Sequence, residues 1–462
     1  MRKYDAILIG SGQASDPLAL FLASKGMKIA IIEKDKVGGT CVNYGCTPTK
    51  ALVATAKIAY QSKIAGSFGV ETGEVRINFK KVFQRINEIV SHSRNGNINS
   101  FRAHPNIDLI YGEARFLGKK IVGINNDSKE SIQISADRIY INTGLRPNIP
   151  EINGIGEIPY LTSTNIFSLN TLPEHLIIIG AGYIALEFAQ IFLRLGSKVT
   201  ILNRGSIFLP KEDHEISESL KNILENEGIR LLMEANPTKV EKKEGTLTLE
   251  YLQNGKYEAV EGSHLLLAVG RVPNSELNLE MTGIKVDKKG FIEVNEFLET
   301  SIQGIYALGD VKGGPAFTHI SYDDFRIIRD NFNSTHKRNT GNRLLNYTLF
   351  TDPELGRIGI NENEAARLGI DYQVVQMPMT HVARAVEMGE TKGLMKAILE
   401  RKSGKILGAS ILGVGGGELA ALVQMAMEGG RKGTDLHNFI FSHPTLAESL
   451  NNLFANSTQI KN

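Results

Sequence analysis

The stretch Ala6-Ile7-Leu8-Ile9-Gly10-Ser11-Gly12-Gln13-Ala14-Ser15, with the apolar run at 18–24 and then Ile29-Ala30-Ile31-Ile32-Glu33, decides the fold of this chain. A short, β-branched-rich apolar run reads as a strand buried on both faces of a parallel sheet. A glycine turn, a helical run, a second apolar strand and an acid follow. That order is the dinucleotide-binding fingerprint in its proper context. Gly10 allows the tight turn, and Gly12 lets backbone approach a pyrophosphate at the helix N-terminus. Glu33 is placed to accept hydrogen bonds from ribose hydroxyls. Ser15 takes the third glycine position and is small enough for close helix–strand packing. Pro17 falls in the first helical turn, where a missing N–H does no harm.

The unit recurs. Leu176-Ile177-Ile178-Ile179 leads into Gly180-Ala181-Gly182-Tyr183-Ile184-Ala185, a helix follows, and the strand at 198–202 ends at Asn203-Arg204. One such fingerprint is a weak signal, but two complete copies predict two nucleotide-binding units with one cofactor each. Between them, short alternating segments at 114–134 predict a small β-meander, and Arg138-Ile139-Tyr140-Ile141-Asn142-Thr143-Gly144 reads as strand into turn. Leu265-Leu266-Leu267-Ala268-Val269-Gly270-Arg271 repeats that pattern, and Gly304-Ile305-Tyr306-Ala307-Leu308-Gly309-Asp310 ends another strand on Gly-Asp. From about Asn342 the texture changes to that of a separate α+β unit ending at His443-Pro444-Thr445.

The chain has only 2 cysteines, and both lie in Cys41-Val42-Asn43-Tyr44-Gly45-Cys46, ahead of a helical run starting near Thr47. At that spacing the thiols can close a strained disulfide at a helix start, which suits a pair that accepts and passes on two electrons. The helix dipole favours a Cys46 thiolate. A structural staple is the plainer alternative, but nothing else suggests a secreted, disulfide-built protein. At 462 residues the chain is long enough for two to four domains. A net charge of +2 with intermixed signs argues against a nucleic-acid partner. No apolar stretch reaches bilayer length, so no membrane association is expected. The N-terminus runs directly into a strand, and a cytoplasmic location is expected. No resident metal site is expected either.

The chain resembles the pyridine nucleotide–disulfide oxidoreductases that carry a flavin, over essentially its whole length. The resemblance rests on 39–50, both fingerprints, Gly309-Asp310, and His443-Pro444-Thr445-Leu446-Ala447-Glu448. Within that family it is most similar to the mercuric-reductase-like flavoproteins, including the flavoprotein of bacterial reactive-chlorine resistance. Phe317-Thr318-His319-Ile320-Ser321-Tyr322-Asp323-Asp324-Phe325-Arg326 and the ending Glu448-Ser449-Leu450-Asn451-Asn452-Leu453-Phe454 carry that likeness.

The resemblance implies an α/β fold of two Rossmann-like domains, for FAD and NAD(P), plus a C-terminal α+β dimerisation domain. The FAD-binding domain would take 1–148 and 272–342, the NAD(P)-binding domain 149–271, and the interface domain 343–462. FAD would meet Gly10, Gly12, Ser15, Glu33, Gly39, Thr40, Lys50, Ala114, Thr143, Gly144, Asp310, Phe317 and Thr318, with His319 nearby. The nicotinamide nucleotide would meet Gly180, Gly182, Tyr183, Ile184, Glu187, Asn203, Arg204, Gly270 and Arg271. Cys46 would be the flavin-facing thiol and Cys41 the one that attacks substrate. Lys50 and Glu187 would pair beside the flavin, and Tyr183 would gate it. In a homodimer, His443, oriented by Glu448, would complete the other subunit's active site as acid–base partner.

Neutral Asn203 replaces the acid of an NADH site, and Arg204 can pair with a 2′-phosphate, so NADPH is expected over NADH. The expected substrate is a small oxidised molecule: a disulfide, or an oxidised-sulfur or halogen species. A mercuric-reductase-type reductase of Hg(II) or Cu(II) is the alternative, though the tail at 455–462 lacks the second cysteine pair of true mercuric reductases. Dihydrolipoamide dehydrogenase activity fits less well, because Asn203 and Thr47 depart from its pattern. A redox-sensing flavoprotein is the non-enzymatic reading.

Overall fold

The computed structural model describes residues 1–126, 132–335, 337–341 and 343–455. Residue 342, expected at a boundary, and the tail at 456–462 lie outside the described residues, as does part of the expected meander.

The first fingerprint builds the centre of a 7-stranded sheet. Strand Arg2–Ile9 lies parallel to Ile29–Glu33 on one side and to Ile132–Ile141 on the other. Ile107–Tyr111 extends the sheet beyond Ile29–Glu33, and Ile305–Ala307 pairs in parallel with Ile132–Ile141. A segment distant in sequence thereby returns to the first unit. The meander forms as antiparallel strands Glu113–Gly118 and Ile121–Asn125, joined onto Ile132–Ile141. Helix Ser15–Ser24 covers one face, where Leu8, Leu18, Leu22 and Ile31 are fully buried. Burying each such side chain contributes about 1.5–3 kcal/mol.

The second fingerprint repeats this plan in a smaller parallel sheet. Its order is Arg230–Leu232, Lys198–Leu202, His175–Ile179, His264–Leu267 and Leu161–Thr162. Helix Tyr183–Leu195 packs on it and ends at Gly196 in the left-handed region (φ 119°). A separate antiparallel sheet, Asn236–Lys243, Thr246–Gln253 and Lys256–Gly262, covers the other face through Val240, Leu249 and Tyr251. The two units are joined by the ribbon Leu145–Pro147 with Arg271–Pro273.

The last unit is a 5-stranded antiparallel sheet, ordered Asn346–Leu349, Glu354–Gly359, Ile406–Gly413, Leu394–Glu400 and Tyr372–Pro378. Helix Gly416–Glu428 lies against it through Leu419 and Val423. Two long helices, Cys46–Ile64 and Phe79–Arg102, pack together, and the first also packs on Tyr183–Leu195.

Buried ion clusters stitch the second and last units together. Arg194 donates to Asp352 (2.6 Å) and pairs with Glu227. Lys396 pairs with Asp213 (3.5 Å), Glu215 (2.9 Å) and Glu362. Burial alone would lower the Lys396 ammonium, but its hydrogen bonds to Glu362 and Glu215 and the carboxylate charges outweigh it and raise it. Among the described residues no helix is long and apolar enough to cross a membrane.

Candidate active site

A cleft of about 670 Å³ opens between the three units. Its floor is the first glycine turn. Gly10 sits at φ 91°, and a Cβ there would stand 2.5 Å from the Asn142 carbonyl oxygen; at Gly12 a Cβ would meet Asn142 Oδ1 at 2.6 Å. Asn142 locks the turn, since its Oδ1 accepts from Ser15 N–H (3.3 Å) and its Nδ2 donates to Leu308 O (2.8 Å). Glu33 lines the cleft and is buried, with Oε2 accepting from Ser11 N–H (2.9 Å) and Ser11 Oγ (2.8 Å). Oε1 accepts from Asp35 N–H (2.8 Å) and retains lone-pair capacity for one further donor.

Gly39, Thr40, Lys50, Ala114, Thr143, Gly144, Asp310, Phe317 and Thr318 line the same cleft. Thr143 Oγ1 donates to Asn274 O (2.7 Å), which holds the strand end in place. Asp310 lies opposite Arg271 (3.4 Å); burial raises its carboxyl, and the Arg271 and Lys312 charges oppose that only in part. The turn at Gly309 is fixed by buried Asp324, which accepts from Gly309 N–H (2.7 Å) and pairs with Arg343 (2.6 Å). Ser15 is different. It is buried off the cleft, its N–H is spent on Gly12 O and Asn142, and its hydroxyl has no partner. It lies buried beneath the turn.

Both cysteines line the cleft as free thiols, Cys46 as the first residue of helix Cys46–Ile64. The Cys46 thiol is lowered to about 6, chiefly by the hydrogen bond from Cys41. Burial opposes this; the Thr318 hydroxyl, 3.2 Å away, and the Lys50 charge reinforce it. The Cys41 thiol is pushed up, first by that same hydrogen bond and then by burial and the Cys46 charge. Of the two, Cys46 is the more readily ionised thiol and Cys41 the more firmly protonated. Lys50 Nζ meets both oxygens of Glu187 (2.9 and 2.8 Å) and lies 4.6 Å over the Phe350 ring. Phe350 N–H also donates to Glu187 (3.0 Å), so the last unit reaches directly into the site.

Residues expected with the nicotinamide nucleotide divide into two groups. Tyr183, Ile184, Glu187 and Arg271 line the cleft, whereas Gly180, Gly182, Asn203, Arg204 and Gly270 lie outside it. Arg271 reaches across to the first unit. It faces Asp310, Thr40 Oγ1 (3.5 Å) and Leu145 O (2.8 Å), because the ribbon that carries it returns to the first unit. Gly180 is needed at φ 102°, where a Cβ would stand 2.5 Å from Ala268 O, while Gly182 faces open space at the start of its helix. Asn203 donates to Gly205 O (3.0 Å), and Arg204 is exposed.

His443 and Glu448 are not brought to the cysteines within one chain. Neither lines the cleft; His443 Nδ1 faces Glu448 at 2.9 Å with its side chain 69% exposed. Sequence reasoning missed Tyr347 and Glu212. Tyr347 stacks on Phe317 (5.2 Å) and lies 5.5 Å from Tyr183. His319 also stacks on Phe317 (5.4 Å), and its Nε2 is 2.8 Å from Asn346 O.

Two free thiols at a helix start, set in a cleft floored by a glycine turn of the dinucleotide-binding kind, make the arrangement of a flavoprotein disulfide reductase. Residues 4–324 match the family model for pyridine nucleotide-disulphide oxidoreductase, and 345–454 match its dimerisation domain; the chain belongs to this family. It is 38% identical over 460 residues to the probable pyridine nucleotide-disulfide oxidoreductase RclA of Escherichia coli, covering 98% of this chain and 99% of that one. It is 34% identical over 448 residues to a mercuric reductase of Lysinibacillus sphaericus (97% and 81% covered). It is 33% identical over 453 residues to a dihydrolipoyl dehydrogenase of Thermus scotoductus (97% and 96% covered). The solved Cu(II) complex of the HOCl-induced flavoprotein disulfide reductase RclA from Escherichia coli superposes with a TM-score of 0.90 at 38% identity, covering 98% of this chain and 99% of that one. Members of this family bind FAD and use NAD(P)H, and the glycine cradle, Glu33 and the cleft fit such a dinucleotide. The dimerisation domain supports a homodimer.

Proposed function

We propose that this protein is an NADPH-dependent reductase that delivers electrons through Cys41 and Cys46 to a small oxidised substrate, a disulfide or an oxidised-sulfur or halogen species. The observation that carries it is the placement of the two free thiols in one cleft, Cys46 at a helix start 3.2 Å from the Thr318 hydroxyl, with Lys50 lining the same cleft. When bound, FAD would supply two-electron transfer between the nicotinamide and the cysteine pair. Segments 1–148 and 272–342 form its binding domain, 149–271 the nucleotide domain and 343–462 the interface domain.

Tyr183 gates the nicotinamide side, and Lys50 with Glu187 sets the charge beside the flavin. His443 of the partner subunit takes the Cys41 proton; its exposure and its Glu448 hydrogen bond support that role. The Cys41 thiolate attacks the substrate's electrophilic sulfur, forming a mixed disulfide and expelling a thiolate that His443 protonates. The Cys46 thiolate then attacks the Cys41 sulfur, expels the second half of the substrate as a thiolate that takes its proton from solvent, and closes the Cys41–Cys46 bond. Exposed Arg204 beside neutral Asn203 supports the choice of NADPH.

NADPH consumption against glutathione disulfide, lipoamide, Hg(II), Cu(II), hypothiocyanite and oxygen tests the substrate class. Cys41→Ser should abolish substrate reduction while nucleotide still reduces the flavin, and normal turnover by that variant would refute the assignment. A soft metal ion is the second reading, favoured by the 34% identity to mercuric reductase and the Cu(II) complex of the RclA relative.

A further inference from the structure

Tyr183 and Tyr347 aim their hydroxyls at one buried carboxylate oxygen. Both donate to Glu212 Oε1, Tyr347 over 2.6 Å, and Arg357 Nη1 approaches Oε2 at 3.3 Å. The Glu212 side chain is 0% exposed and that of Arg357 4%. Arg357 is itself fixed by Glu364 (2.8 Å) and Lys211 O (2.9 Å). Three places in the chain thus meet at one carboxylate. Tyr183 opens the second nucleotide helix, Glu212 ends the loop that also carries Asn203 and Arg204, and Tyr347 and Arg357 belong to the last sheet.

A buried carboxylate stripped of donors is costly. Here the cost of releasing one donor is small, because Tyr347 and Arg357 remain when Tyr183 leaves. The arrangement is that of a latch with a permanent keeper and one removable bolt. We propose that Glu212 is a positioning residue that latches Tyr183 closed, so that nicotinamide enters only by breaking the Tyr183–Glu212 hydrogen bond while Tyr347 and Arg357 keep the carboxylate paired. This rests on the reading of Tyr183 as the gate. A protein held mostly in a closed state binds its ligand more weakly by the fraction that is open. The latch therefore lowers nicotinamide affinity in the resting enzyme, and loosening it raises that affinity.

The test is calorimetric binding to the FAD-loaded enzyme of NADP⁺ or NAD⁺, whichever binds better, beside the matching nicotinamide-free ADP-ribose fragment. Tyr183→Phe keeps the ring and removes the donor. It should tighten binding of the whole nucleotide by about tenfold, the scale of a hydrogen bond to a charged group, and leave the fragment's affinity unchanged. Tyr347→Phe removes the competing donor from the same oxygen, strengthens the remaining bond and should weaken binding. Opposite signs in these two variants are the signature of a shared acceptor, since loosened packing moves both the same way. Wild-type affinity in Tyr183→Phe, or shifts of one sign in both, overturns the latch. Tyr183→Ala separates the two readings. If it tightens nucleotide binding while Tyr183→Phe does not, the gate stands and the latch falls. If Tyr183→Ala changes nothing, the gate reading itself fails and takes the latch with it.

Discussion

Cys46 Sγ and Thr318 Oγ1 stand 3.2 Å apart, and each residue is the first of its helix, Cys46–Ile64 and Thr318–Asn331. Two helix N-termini, both positive dipole ends, thus converge on one thiol. Hydrogen bonding from Cys41 is the main cause of its lowering to about 6, with Thr318 and Lys50 adding to it against burial. The thiolate is therefore present above pH of about 6 and lost as pH falls through that value. Thr318→Val removes a donor to the thiolate and should move the midpoint about one pH unit higher. Iodoacetamide labelling of the reduced protein across pH, with Cys46 followed by peptide mass analysis, reads it directly. An unmoved midpoint would show that Thr318 merely packs there.

Glu187 accepts from both Lys50 and Phe350 N–H, so its charge and its shape can be separated. Glu187→Ala strands the Phe350 N–H and leaves Lys50, 32% exposed, without its counter-ion. With Lys50 partly solvated, the loss should be about 2–3 kcal/mol in denaturant unfolding, below the range for fully buried pairs. Glu187→Gln keeps an acceptor for Phe350 and should lose less. Equal losses in both variants would contradict this division.

Arg194 holds Asp352 at 2.6 Å with 4% of its own side chain exposed. Arg194→Met should cost about 3–5 kcal/mol, because it leaves Asp352 and Glu227 buried and under-paired. Burial alone would raise the Asp352 carboxyl, but the Arg194 and Lys57 charges and hydrogen bonds hold it below its ordinary value. A depressed carboxyl stabilises the fold above its unfolded pKa, and that stability is lost as pH falls through the folded value. In Arg194→Met the folded value rises, so acid unfolding should begin at higher pH than in the wild type. Coincident acid transitions would contradict it.

Arg204 is exposed at the end of strand Lys198–Leu202, next to Asn203. Arg204→Ala should lower kcat/KM for NADPH by about tenfold and leave that for NADH nearly unchanged, the loss of one charge-assisted phosphate contact. Steady-state kinetics with both nucleotides decide it, and an equal fall for both would place Arg204 elsewhere.

What could be read in the sequence was punctuation and period. The two glycine turns, their flanking apolar strands and the helix start at Cys46 are local signals, and the structure forms them where the pattern puts them. Helix Phe79–Arg102 went unread although Phe79, Phe83, Ile86 and Val90 recur at helical spacing and are buried, because its exposed face is so polar. Asn142, Asp324, Tyr347 and Glu212 could not be read locally. Their work is done across the fold, as when Asn142 reaches Ser15 at a separation of 127 residues or Thr318 reaches Cys46 at 272. The contacts of Arg271 with the first unit could not be read locally for the same reason: only the Leu145–Pro147 ribbon reveals where its strand leads.

Under the proposed mechanism, Cys41 and Cys46 of one subunit work with His443 of the other. Mixing subunits tests it most directly. Cys41→Ser and His443→Ala homodimers should each be inactive toward substrate. Unfolded, combined in equal amounts and refolded with FAD, they should form hybrids in which one site pairs intact cysteines with an intact partner-subunit histidine. Activity should return to about a quarter of wild type, since about half the dimers are hybrid and each has one working site. If His443 instead served the cysteines of its own chain, every site would keep a lesion, and the mixture would stay inactive.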